Sequence, residues 1–289
     1  MSNHPSNASE LPNHNGEGTN DPFAFLNEPI TPTLCRRCGK SFDVAKTQCP
    51  SCFAVHCAKP TNSFVVNPYN QSPAIVQVVW YFLAITLVSI AGAIGVKFTV
   101  DDRASDWTIQ IQLLAWLTVI ELIDTLIVIW AIYSIPTTRM PSPSQTQRIW
   151  ARGLFVPLLL FVLAVNTIYH LFLRELLQLD LETSCLMATT SWLPWKVLLL
   201  CVQPAIVEEL FFRRVAMEAA REMLSPVWAI VITSVLFALA HVGQPLSLPV
   251  LGLIGLSLGF LRVASGTLWL PMLFHFLHNL VVTMFEALR

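Results

Sequence analysis

Long apolar runs alternate along the chain with short segments that are rich in Pro, Gly and charged residues. A transmembrane helix needs roughly 20 mainly apolar residues, and this pattern predicts seven of them, with six or eight as open alternatives because the fifth and sixth are short. They are predicted at residues 74–97, 107–135, 153–173, 195–222, 227–242, 247–263 and 267–287. The chain is therefore expected to form an all-α, polytopic bundle of membrane helices.

The composition supports a membrane protein. Of the 289 residues, 54% are hydrophobic and 12% are charged, whereas roughly 25% of the residues in a typical soluble domain are charged. The net charge of −1 provides no basic field, so we expect the lipid bilayer and no nucleic acid as a partner. Residues 1–30 are rich in Asn, Pro, Ser and Gly and lack the features of a cleavable signal peptide, which predicts a disordered tail.

Arginine positions predict the orientation of the bundle. The arginines cluster between the second and third spans and toward the end of the fourth: Arg139, Arg148, Arg152, Arg213, Arg214 and Arg221. Because Lys and Arg gather on the cytoplasmic side of a membrane, both regions are expected to be cytoplasmic. The N-terminus is then cytoplasmic and the C-terminus lies outside. We expect the plasma membrane, or inner membrane, as the location.

Two CxxC pairs precede the first span, in the segment CRRCGKSFDVAKTQCPSC. The thiolates of Cys35, Cys38, Cys49 and Cys52 have a spacing that can close a tetrahedral Zn²⁺ site. His56 or Cys57 could replace one ligand, and a redox dithiol or disulfides are alternatives, although a cytoplasmic location keeps thiols reduced. We predict a structural zinc ribbon at residues 31–60 and a linker at 61–73, with partner binding, regulation and local folding as open roles for the ribbon.

The stretch AIVEELFFRRV, residues 205–215, places charged side chains inside the fourth predicted span. Successive helical residues turn by about 100°, so Glu209 and Arg213 share a face while Glu208 points elsewhere. We therefore predict an ion pair between Glu209 and Arg213. Glu208 is left facing the bundle, where an ionisable residue is costly and usually functional. The charges that follow are expected to be solvated at a cytoplasmic helix end: Arg214, Glu218 and Arg221.

The fifth span contains FALAH, Phe237 to His241, which can be matched in depth to the fourth. Residues of an antiparallel hairpin lie at the same depth when they are equally far from the turn. The midpoint of Glu208 and His241 falls between Leu224 and Ser225, just before Pro226, where a turn is expected. Both residues then lie roughly 20–25 Å from the turn, within the membrane. We predict that His241 lies beside Glu208.

The last span contains HFLHN, in which His275 and Asn279 are four residues apart on one helix face. His275 is expected to be buried with Asn279 as its amide partner, and His278 is interpreted as a packing or supporting residue. In the span before, Gly252, Gly255 and Gly259 recur at helical spacing, which lets helices approach closely.

A carboxylate, a neighbouring histidine and a separate His-Asn pair suit hydrolysis of an amide by water. Glu208 would take a proton from water with the help of His241, and His275 with Asn279 could stabilise the oxyanion that forms. Glu208 and two histidines could instead hold a catalytic Zn²⁺. We favour the mechanism without a catalytic metal.

Three motifs in order resemble those of a known family. EELFFR from Glu208 to Arg213, FALAH and HFLHN are similar to the EExxxR, FxxxH and HxxxN motifs of the CAAX prenyl protease and bacteriocin-processing family, also called CPBP or Abi intramembrane proteases. The resemblance implies an all-helical protease core at residues 150–289. Residues 74–149 include the first two spans, which lie outside the resemblance, and are expected to be accessory membrane helices. The implied substrate is a membrane-associated protein or peptide, with or without a lipid modification.

The resemblance also implies roles for individual residues. Glu208 matches the water-activating glutamate, His241 matches the residue that assists it, and His275 and Asn279 match the oxyanion-binding pair. Glu209 matches the family's second glutamate and is counted with these catalytic residues as a positioning and charge-balancing group. Two matched positions are expected to support them: Arg213 and Phe237.

Two other classes of protein stay open. Glu121 and Asp124 share a face of the second span and could join Glu208 in the carboxylate path of a transporter, although no half-repeats with broken helices are evident. A non-catalytic membrane scaffold or immunity protein could instead use the zinc ribbon to recruit a partner.

Overall fold

The protein is described by a computed structural model that covers residues 74–100, 105–135, 142–177, 192–221, 224–241 and 243–287, together with the backbone of 32–34 and 41–43. The predicted tail at 1–30, the linker at 61–73 and the four candidate zinc ligands lie outside these described residues. The tail and the zinc site therefore stay predictions. The short strands β1, Pro32–Leu34, and β2, Ser41–Asp43, pair antiparallel, and the first CxxC pair falls between them in sequence.

Helices make up nearly all of the rest of the described chain. They are α1 at Ala74–Thr99, α2 at Asp106–Ser134, α3 at Gln145–Leu177, α4 at 193–221, α5 at Pro226–Ala240, α6 at Leu248–Ser265 and α7 at Trp269–Ala287. A short 3₁₀ turn, Pro245–Ser247, precedes α6. A helix lies at each of the seven positions predicted for a span, and α3 is longer than predicted because its polar flanks continue the helix past the apolar run.

Five helices among the described residues are long and apolar enough to cross a membrane: α1, α2, α3, α6 with its preceding turn, and α7. The outer helices leave large apolar side chains uncovered, among them Trp80, Phe98 and Trp130. Soluble monomers rarely expose such extensive apolar surface, and lipid would cover it here. The fold is that of a helical bundle integral to a membrane.

Close packing concentrates in the second half of the chain. The helices α5 and α6 pack tightly, α3 lies against α6, and α7 lies against α4 and α6, while α1 packs on α2. A Cβ atom at Gly255 would come within 3.0 Å of Ser234, and one at Gly259 within 2.9 Å of Ile230, so these two glycines permit the approach of α5. A Cβ atom at Gly252 would meet nothing within 4 Å among the described residues, so the predicted packing role of Gly252 is wrong.

The helix α4 contains two stretches of wider, π-type turns, at Leu198–Val202 and Leu210–Ala216. Their hydrogen bonds span five residues: the N–H of Gln203 donates to Leu198 and the N–H of Met217 donates to Phe212. Turns of this kind are uncommon in proteins, and those that occur are often found at functional sites. A wide turn holds more residues than an α-helical turn. A helical wheel that assumes regular α-helical spacing therefore assigns the side chains after a wide turn to the wrong face of the helix.

Candidate active site

Glu208 and Glu209 are adjacent in α4 but lie in different environments. The side chain of Glu209 is completely buried, with Oε2 3.3 Å from Nε of Arg213 and Oε1 3.3 Å from Nδ1 of His275. The side chain of Glu208 is 28% exposed, and its Oε2 lies 4.0 Å from Nε2 of His241 and 4.0 Å from Nε2 of His275. The predicted Glu209–Arg213 pair and the approach of His241 to Glu208 are both confirmed. Of these two glutamates, Glu208 is therefore the one whose side chain is partly accessible from outside the core.

The end of α5 orients His241. The last carbonyls of a helix have no partner within it, and the backbone N–H of His241 donates to Ala238 and not to Phe237. The imidazole Nδ1 of His241 lies 2.8 Å from the Phe237 carbonyl oxygen. Since a carbonyl can only accept, Nδ1 carries the hydrogen. The other nitrogen, Nε2, is thereby directed toward Glu208.

Arg213 is completely buried and lies among several partners. In addition to its ion pair with Glu209, its Nη2 donates to the carbonyl oxygen of Gly255 at 3.3 Å. Its guanidinium carbon is 5.0 Å from the centre of the Phe237 ring and 5.8 Å from that of Phe212. A buried cation is tolerated when it is paired and bonded in this way. Arg213 therefore neutralises Glu209 and connects α4 to α6.

Phe237 forms the apolar wall between the histidines. Its ring centre lies 5.0 Å from that of His241 and 5.7 Å from that of His275, which it contacts edge to face. The ring is buried, so it limits the positions that both imidazoles can adopt. This packing accounts for the supporting role expected for Phe237.

Asn279 has different partners from those expected. Its Nδ2 donates to the carbonyl oxygen of Leu200 at 3.0 Å, inside the first wide-turn stretch of α4, and its Oδ1 lies 3.2 Å from Nδ1 of His278. The expected pairing of Asn279 with His275 is not among its contacts. Both nitrogens of His275 face glutamates instead, because α4 lies against that face of α7. One amide hydrogen of Asn279 remains beyond the bond to Leu200.

The helix α2 brings further carboxylates near the site. The side chains of Glu121 and Asp124 lie close enough to the Glu208 carboxylate for the charges to interact. Gln203, which precedes Glu208 in α4, donates from Nε2 to the backbone oxygen of Glu121 at 3.2 Å and to Oγ1 of Thr125 at 3.0 Å. Gln203 was not a candidate from the sequence, because the sequence does not indicate which group an amide in an apolar helix will bond.

Glu218 was predicted to be solvated, and that prediction is wrong. It is buried, and its Oε1 accepts a hydrogen bond from Nη2 of Arg262 in α6 at 2.7 Å. The wide turns at Leu210–Ala216 separate Glu218 from Glu209 and change which face it occupies. The sequence carried one signal for this pair, which was an arginine inside an otherwise apolar predicted span. Arg214 is exposed, as predicted.

The site thus contains a continuous series of ionisable groups that runs from Arg213 through Glu209 and His275 to Glu208, with His241 at its outer end. The buried part of the series is balanced by Arg213, and the partly exposed part holds a carboxylate between two imidazoles. Such an arrangement can accept and return a proton. Among the described residues, no three His, Cys, Asp or Glu side chains are arranged to hold a metal ion.

Comparison with known proteins gives one finding. Residues 190–281 match the family model described as Type II CAAX prenyl endopeptidase Rce1-like. This segment holds Glu208, Glu209, Arg213, Phe237, His241, His275 and Asn279. No curated protein and no solved structure matches the chain. The family resemblance of the three motifs is confirmed, and the match supports a membrane-protease domain at residues 190–281.

Proposed function

We propose, from the match of residues 190–281 to a prenyl endopeptidase domain, that the chain is an intramembrane endopeptidase in which Glu208 activates water. The observation that supports this best is the position of the Glu208 carboxylate, partly exposed and 4.0 Å from an Nε2 atom of both His241 and His275. These separations are longer than hydrogen bonds. Catalytic hydrogen bonds are often long without substrate and shorten when it binds.

In the proposed reaction, a water molecule lies between Glu208 and the scissile carbonyl carbon. Glu208 takes one proton from the water, and the oxygen forms a bond to that carbon while the carbonyl electron pair moves onto its oxygen. When the tetrahedral intermediate collapses, the C–N bond breaks and the proton held by Glu208 passes to the leaving nitrogen. Water supplies every atom that is added. His241 orients the water through Nε2, because its Nδ1 is committed to Phe237.

The oxyanion needs hydrogen-bond donors. We assign this role to His275 and Asn279. Glu209 lies 3.3 Å from Nδ1 of His275 and would stabilise a hydrogen on that atom and a positive imidazolium, whose Nε2–H is then a donor. The amide hydrogen of Asn279 that is not bonded to Leu200 would be the second donor. Loss of one such donor commonly lowers the rate by about 10²–10³.

The alternative functions differ in the residues they require. A catalytic zinc would use Glu208, His241 and His275 as ligands, whereas we propose zinc only for the ribbon cysteines. A transporter would use the carboxylates of Glu121, Asp124 and Glu208. Their proximity to one another is the observation that favours a transporter. It assigns no role to His275 or to Asn279. A scaffold assigns no role to any of these groups.

The deciding experiment replaces Glu208 with Gln, which keeps the size of the side chain and removes its basicity. Membrane proteomes of cells that carry the wild-type or the Glu208→Gln protein are compared for N- and C-terminal fragments, and a farnesylated peptide ending in a CAAX sequence is offered to the purified proteins. We expect fragments with the wild type alone. Cleavage by a folded, membrane-inserted Glu208→Gln protein would contradict the proposed mechanism. Identical fragments in the wild-type and Glu208→Gln proteomes would favour the scaffold.

A further inference from the structure

The buried Glu218–Arg262 pair lies apart from the proposed reaction centre but is connected to it through the backbone. Arg262 donates from Nη2 to Glu218 at 2.7 Å and from Nε to the carbonyl oxygen of Arg213 at 3.4 Å. Arg213 donates in turn from Nη2 to the carbonyl oxygen of Gly255. Each of the helices α4 and α6 therefore sends one arginine to a backbone carbonyl of the other.

The contact made by Arg262 falls on an unusual part of α4. Arg213 lies in the middle of the wide-turn stretch Leu210–Ala216. Wide turns are uncommon in helices and are found most often at functional sites. Arg262 reaches this stretch from α6, and Glu218, just beyond the stretch, holds its guanidinium in place. The pair therefore bridges the segment that carries the Arg213 side chain.

A shift of Arg213 would be passed on to the reaction centre. Its Nε lies 3.3 Å from Glu209, Glu209 lies 3.3 Å from His275, and His275 lies 4.0 Å from Glu208. All of these groups except Glu208 are buried, so little room is left for independent adjustment. A misplacement of about 1 Å in a catalytic constellation can lower a rate about 10²-fold.

We propose that Arg262, oriented by Glu218, is a positioning residue for catalysis: it fixes the backbone at Arg213 and thereby sets the position of His275 relative to Glu208. The inference rests on the proposed function, and it concerns residues that touch neither the substrate nor Glu208 itself. A purely structural ion pair would contribute to stability alone. A positioning pair affects turnover even when stability is kept.

Arg262→Lys separates these two roles. A lysine can keep the ion pair with Glu218, but its single ammonium group cannot also reproduce the guanidinium contact with the Arg213 carbonyl. Arg214→Lys is the matched control, since Arg214 is exposed on the same helix as Arg213. With a fluorescence-quenched, farnesylated CAAX peptide as the probe, we expect kcat of the full-length Arg262→Lys protein to fall at least about tenfold with KM within about twofold.

The melting temperature of the Arg262→Lys protein should stay near that of the wild type, and Arg214→Lys should change none of these quantities. Glu218→Gln, which keeps an acceptor for Arg262 without its charge, should lower kcat to a smaller extent. Wild-type kcat in Arg262→Lys would overturn the proposal. So would a loss of kcat that follows the melting temperature across all three variants.

A second measurement does not depend on cleavage. In full-length protein with ¹⁵N-labelled histidine, the ring-nitrogen NMR signals of His275, identified by their loss in His275→Gln, should shift in Arg262→Lys and stay in place in Arg214→Lys. Unshifted His275 signals would overturn the positioning role whether or not the peptide is cleaved. Cleavage by the Glu208→Gln protein would instead overturn the proposed function and leave this result to stand by itself.

Discussion

Glu208 and His241 face each other across the hairpin formed by α4 and α5, with Oε2 of the glutamate 4.0 Å from Nε2 of the histidine. The two residues are far apart in sequence, and they meet because the hairpin turns at Leu224 and Ser225, just before Pro226 starts α5. The Phe237 carbonyl oxygen accepts a hydrogen bond from the other ring nitrogen of His241, Nδ1, and so fixes the orientation of the imidazole. The proposed base and its assisting group thus come from two separate helices, at positions equally far from the turn that joins them.

His241→Ala should lower kcat by about 10²–10⁴, the usual contribution of a positioned proton-transfer group. The side chain lies at a helix end and is partly exposed, so stability should change little. Steady-state kinetics with the farnesylated peptide measure the effect. His170→Ala is the control: His170 lies in α3, where its ring contacts that of Tyr169, and this variant should retain activity. Equal losses in both variants would argue against a specific role for His241.

Arg213→Met should be strongly destabilising because it removes the permanent positive charge that balances the buried carboxylate of Glu209 and leaves only His275 beside it. Removal of one member of a buried ion pair typically costs about 3–5 kcal/mol. Thermal unfolding in detergent measures the change. The double variant Glu209→Gln with Arg213→Met should recover part of the stability and none of the activity. If Arg213→Met were as stable as the wild type, the ion pair would not have the structural role assigned to it.

Gly255→Ala should force α5 and α6 apart, since the new methyl group would lie 3.0 Å from Cα and Cβ of Ser234. Overpacking of this kind costs about 1–3 kcal/mol. It should also move the carbonyl that Arg213 contacts, and activity should fall with stability. Gly252→Ala, on the same helix but in open space, should leave both melting temperature and activity close to wild type. Equal effects of the two substitutions would contradict this packing.

Purified full-length protein should contain about one zinc ion per chain, held by the four candidate ribbon cysteines. Metal analysis should show its loss after the paired substitution Cys49→Ser and Cys52→Ser. His241→Ala should leave the zinc content unchanged, because the proposed mechanism places no metal at Glu208. A zinc content that falls in His241→Ala would favour the zinc-dependent protease.

Local regularities were enough for several correct predictions. The Glu209–Arg213 pair follows from the four-residue spacing of an α-helix, which places the two side chains on one face, and the pair forms even though Arg213 lies inside the wide-turn stretch Leu210–Ala216. The approach of His241 to Glu208 follows from counting equal distances on either side of a proline-marked turn. Both arguments need only helical pitch and chain connectivity, and the sequence carries that information directly.

Three-dimensional packing decided the rest. The order of residues did not indicate that α4 widens at Leu210–Ala216, which carries Glu218 to a buried face. The position of Arg262 in an apolar span indicated a buried arginine but did not identify Glu218 as its partner. Asn279 bonds to Leu200 because α7 happens to lie against the first wide turn of α4. Periodicity determines which side chains share a face of one helix. Only the packing of helices against each other determines which groups that face meets, because those contacts join residues that are distant in the chain.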